Sequence, residues 1–83
     1  MSELIEVLAD IEHKRWASWQ RHVFSKCEMR EDGTAVIPAW AVTNWKRQCE
    51  TNYADLSESE KESDRREVRN TLKAMTEFAV RNI

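Results

Sequence analysis

Apolar residues recur at Leu4, Leu8, Ile11, Trp19 and Val23, a spacing that keeps them on one side of a helix with about 3.6 residues per turn. Ser2 is placed to cap that helix and Arg15 interrupts its stripe. The polar run "EMREDG", with its Asp32-Gly33 turn signal, predicts an end near Cys27 and a span of 3–27. "TAVIPAW" predicts a short extended approach, because the residue before Pro38 is pushed away from helical angles, while Pro38 itself suits a first helical turn. A second helix over 38–50 follows, with Ala41, Val42, Trp45 and Cys49 on one side and Trp40 pointing the other way. After the connector "TNYADL", Ser57 and Glu60 match the S-x-x-E capping box and open a third helix over 58–81, whose stripe is Val68, Leu72, Met75 and Ala79.

The fold class that follows is all-α: one domain over 1–83, a small three-helix bundle with a short extended segment before the second helix. Its expected core is Leu8, Ile11, Trp19, Val23, Val42, Trp45, Val68, Leu72 and Met75. Set against an ordering cost of roughly 1.5 kcal/mol per residue, a core of that size is marginal. A homo-oligomer, most simply a twofold dimer with Trp40 at its interface, is therefore expected.

Hydrophobic residues at 41% and charged residues at 34% fit a folded helical chain, and one Gly with one Pro leave little turn chemistry for a sheet. A net charge of -2 provides no general attraction to DNA or to an anionic membrane surface. No run approaches the roughly 20 apolar residues of a membrane span, and "MSELIEVLADIEHK" has acids where a signal peptide needs bases. Cys27 and Cys49 lack C-x-x-C spacing and read as reduced thiols, which points to the cytoplasm.

Candidate chemistry centres on an interruption. Asp64 and Arg65 occupy the third helix's stripe before Val68, where they either are solvated or paired with Glu12 or Arg15, or else floor a polar pocket. On the first helix His13 and Trp16, at i and i+3, offer a hydrogen-bonding edge beside an aromatic plate; ordinary packing is the alternative. Tyr53 either plugs the bundle end or places its hydroxyl near Arg65. No G-x-S-x-G, Gly-rich phosphate loop, H-E-x-x-H or paired-Cys motif is present, and no cofactor is indicated. Cys27 and His13, fourteen residues apart, are separated by about 21 Å of helical rise and cannot act as a nucleophile-base pair within one chain.

The segments "HKRW", "IPAW", "NWKRQ" and "YADLSESEKESDR", read together as H-x-x-W followed by L-x-x-x-E-K-x-x-D-R, resemble the ryanodine receptor repeat domain in its compact phage and bacterial form. The resemblance runs from about His13 to Leu72 and is most specific over Tyr53–Arg65. It implies a helical domain linked in prokaryotes to nucleotide-based immune signalling, and by matching position it implies a ligand pocket of His13, Trp16, Tyr53, Asp64 and Arg65. The interval "EDGTAVIPAWAVTNW" departs from the receptor-type repeat, which carries "GW-x-YG" and "HP-x-LVPY" there. The expected function is a small non-enzymatic module that binds a nucleotide-like small molecule, as a phage anti-defence protein sequestering an immune signal would. Two alternatives stand beside it: a protein-protein adaptor or inhibitor using Trp40, and a nucleotide-processing enzyme with His13 as general base.

Overall fold

The three runs of helical periodicity become three helices in a computed structural model, which describes residues 2–83: α1 (Ser2–Lys26), α2 (Ala39–Glu50) and α3 (Glu58–Arg81). The protein is all-α but for a minimal antiparallel hairpin, β1 (Glu28–Met29) and β2 (Ala35–Val36), and a single 3₁₀ turn over Tyr53–Asp55. The hairpin was not expected as paired strands. It forms because Gly33, at φ 88°, closes a turn in which its amide donates to the Arg30 carbonyl at 3.0 Å. The Asp32 carboxylate then accepts from the Thr34 amide at 2.9 Å and from the Thr34 hydroxyl at 2.7 Å.

Helix starts follow local chemistry. Pro38 stands one position outside α2, in extended backbone at φ -65° and ψ 152°, and its carbonyl accepts from the amides of Ala41 and Val42. At α3 the capping box is complete: the Glu60 amide donates to the Ser57 hydroxyl at 3.3 Å, and the Ser57 amide donates to the Glu60 carboxylate at 3.0 Å. The expected cap of α1 rests on the side chain of Ser2, which lies outside the described residues.

α1 and α3 run antiparallel and form the main helix pair. Val7 and Ile11 share a groove with Ala74 and Glu77, while Arg15, further along α1, feels the charges of Asp64 and Glu67. The face that α3 turns toward α1 is not the one its apolar stripe predicts. Glu67, Thr71, Ala74 and Phe78 are half-buried there, whereas Val68 and Leu72 remain 56% and 57% exposed and Met75 is exposed as well. Trp19, also expected in the core, is exposed, and Ala41 is the one fully buried hydrophobic among the described residues. The chain accordingly spreads into a slab of 52 × 35 × 16 Å with a radius of gyration of 16.8 Å. A compact chain of this length would have about 12 Å.

With so little core, α2 is attached to α3 largely through one carboxylate. Glu60 accepts from Arg47 and, at 2.6 Å, from the Gln48 amide, while its other oxygen serves the Ser57 cap. Arg47 foremost, then Ser57 and Gln48, hold the Glu60 carboxyl down from 4.5 to about 2. Because that value lies below the unfolded one, the folded state binds fewer protons. The stabilisation is therefore complete above about pH 4.5 and is lost as pH falls toward 2. Glu60→Gln should lower the melting temperature at pH 7 and flatten its decline between pH 4.5 and 2 relative to wild type, as read by circular dichroism melts.

Candidate functional site

Helical spacing places one polar-aromatic cleft where the three helices meet. α1 contributes Arg15, Trp19 and His22 at i, i+4 and i+7; α2 contributes Asn44, Trp45, Gln48 and Cys49; α3 contributes Glu60, Ser63, Asp64, Arg66 and Glu67. The cleft is open and measures about 780 Å³, within the size range of small-molecule sites. Its aromatic wall is continuous. The Trp19 ring meets Trp45 edge-on at 5.5 Å and stacks on His22 at 5.4 Å, and Trp40, outside the cleft, meets Trp45 edge-on at 6.5 Å. Edge-to-face contacts of this kind are worth about 0.5–1.5 kcal/mol each and hold the plates in fixed orientation.

Two guanidinium groups line the same cleft. Arg15 is paired with Glu12, which is the main reason its pKa is raised, with weaker contributions from Glu67 and Asp64. Arg66 has no carboxylate within ion-pair distance among the described residues, whereas its neighbours Arg65 and Arg69 each hold acids of their own helix. Leu56, Asp64, Glu67 and the serines Ser18, Ser59 and Ser63 complete the lining. Among the described residues no three His, Cys, Asp or Glu side chains converge closely enough to hold a metal ion.

The residues singled out from sequence are divided by the fold. Asp64 lines the cleft. Arg65 does not: its Nη1 reaches Glu58 at 3.3 Å and Glu62 at 3.5 Å, and Glu58 followed by Tyr53 raises its pKa. Tyr53 thus does stand near Arg65, with Lys61 Nζ lying 5.8 Å from its ring centre. His13 and Trp16 stack on each other at 6.0 Å but stay outside the cleft, and Trp16 is 56% exposed. The five therefore form two separate groups plus Asp64 rather than one pocket. The His-Trp theme is realised instead by Trp19 and His22, in "WASWQRH", a W-x-x-H whose i, i+3 spacing mirrors H-x-x-W and was the available signal. Trp40 is 57% exposed with one ring edge on Trp45, so it is neither core nor wholly free.

Both thiols are free, Cys27 half-buried and Cys49 exposed at the cleft. No described helix is long and apolar enough to cross a membrane. Comparison with protein-family models, curated proteins and solved structures finds no match. The resemblance to the ryanodine receptor repeat accordingly rests on the quoted residues alone.

The pairing of Arg65 carries a direct expectation. Exposed ion pairs contribute little, so the loss of stability in Arg65→Ala should be small in urea titrations. A loss several times larger would mean that Arg65 anchors the end of the bundle.

Proposed function

We infer that the chain is a small binding module acting in the cytoplasm by capture rather than turnover, and that the α1–α2–α3 cleft takes a nucleotide-derived small molecule. The observation that carries this reading is the convergence of the Trp19, Trp45 and His22 rings with Arg15 and Arg66 in one cleft. A base has a stacking plate there, a phosphate has planar donors that suit it bidentately, and Asp64 is available to a ribose hydroxyl. Sequestration of an immune nucleotide signal by a phage protein is the biological form that the resemblance suggests, and a binding cleft with aromatic walls would suffice for it. The adaptor reading has support of its own in the exposed ring of Trp40.

Calorimetric titration of cyclic dinucleotides and ADP-ribose tests the proposal. At least one should bind wild type. Arg66→Ala should weaken it tenfold or more, because a charge-assisted hydrogen bond contributes about 1.5–3 kcal/mol. Trp45→Ala should cost a comparable factor through lost stacking, provided that its melting curve shows a folded protein. Arg65→Ala should leave binding unchanged. Failure of every panel member to bind wild type, or survival of binding in a folded Arg66→Ala protein, overturns the nucleotide reading.

A further inference from the structure

The apolar stripe that α3 leaves in solvent has a counterpart on α1. Around α3, the face set by Glu67, Thr71, Ala74 and Phe78 packs toward α1, and Val68, Leu72, Met75 and Ala79 lie about 100° further round. Around α1, Leu4, Val7, Leu8 and Ile11 are half-buried toward α3, and Ile5, Ala9 and Trp16 lie about 130° further round in the same rotational sense. Seen from one end, antiparallel helices wind in opposite senses, so equal rotations away from their shared contact bring both stripes to the same side of the slab. The pairing register sets Ile5 beside Ala79, Ala9 beside Met75 and Trp16 beside Val68. One broad side of the α1–α3 pair is thus a largely apolar face two helices wide, broken by Glu12.

We propose that this face is covered by a second copy of the chain, two α1–α3 pairs meeting face to face as a four-helix bundle. Three observations select that occupant. First, Ala41 is the one fully buried hydrophobic among the described residues, so the chain has almost no apolar interior of its own, whereas a stable domain packs its elements around one. Second, its accessible surface is 6885 Å², against about 5,200 Å² for a compact monomer of this mass. The excess of about 1,700 Å² per chain, doubled for two chains, falls in the 2,000–5,000 Å² range of obligate homodimers. Third, within Ile5–Trp16 and Val68–Ala79 the one carboxylate on the face, Glu12, is already paired with Arg15, and Asp64 and Arg65, which precede Val68 on the same stripe, lie at its edge where they can stay in water. A twofold axis through the middle of the face requires only that it match itself, which a flat apolar surface does. The interface then centres on Val68, Leu72 and Met75, and Trp40 stands outside it.

Light scattering on wild type at about 100 µM, well above the dissociation constant of an obligate dimer, should report twice the mass of one chain. Leu72→Glu should halve that mass, and Trp40→Glu should leave it unchanged. Because a separated chain has so little core, Leu72→Glu is paired with a measurement on wild type alone. Isotope-filtered NOE spectra of mixed labelled and unlabelled protein should show intermolecular contacts from the methyls of Val68, Leu72 and Met75. A wild type that stays single overturns the proposal and leaves the face to a different protein. A dimer whose intermolecular contacts arise elsewhere, or whose mass is halved by Trp40→Glu and not by Leu72→Glu, overturns it equally.

Discussion

A domain held together by burial needs an apolar interior, and this chain has almost none of its own. Everything else about it follows from that shortage. With a single buried hydrophobic side chain among the described residues, packing cannot decide where each helix sits. Local signals decide instead: a complete capping box at α3, a proline at the entrance of α2 and a glycine turn between the β-strands. These fix the ends of elements well. They fix the relation of one element to another only where a side chain bridges them.

Glu60 is the principal bridge. Among the described residues, every side-chain hydrogen bond that spans more than seven positions ends on its carboxylate. The same two oxygens that complete the Ser57 cap receive Arg47 and Gln48, so the start of α3 and the placement of α2 are one event. The cleft is built across that coupling: Glu60 holds α2 to the head of α3, and on the same helix Trp45 meets Trp19 and His22 of α1. A carboxylate held to about 2 by its donors keeps that arrangement intact across the neutral range.

What the sequence disclosed follows the same division between local and distant. The three helices and the Ser57-Glu60 box were legible because spacing and capping are properties of a few neighbouring residues. The hairpin was hidden, since strands of two residues show no alternation to read. The stripe Val68, Leu72 and Met75 was visible, but periodicity reports which face is apolar and not which neighbour covers it. Assigning that stripe to an internal core was the error, and Thr71 and Ala74 take the inner face instead. The site was half legible for the same reason. Asp64 and the proximity of Tyr53 to Arg65 follow from the turn and first turns of one helix, whereas the meeting of Trp19, His22 and Trp45 depends on how α1 and α2 cross.

If a second chain supplies the missing interior, stability is inseparable from protein concentration, because association adds a mass-action term that a monomer lacks. Thermal melts followed by circular dichroism at about 1 µM and about 100 µM test this most directly. A melting temperature that rises by several degrees over that range, at unchanged helical signal, is the predicted result. A midpoint that stays fixed while the helical signal is intact would contradict it, and would mean that the three helices are stable alone.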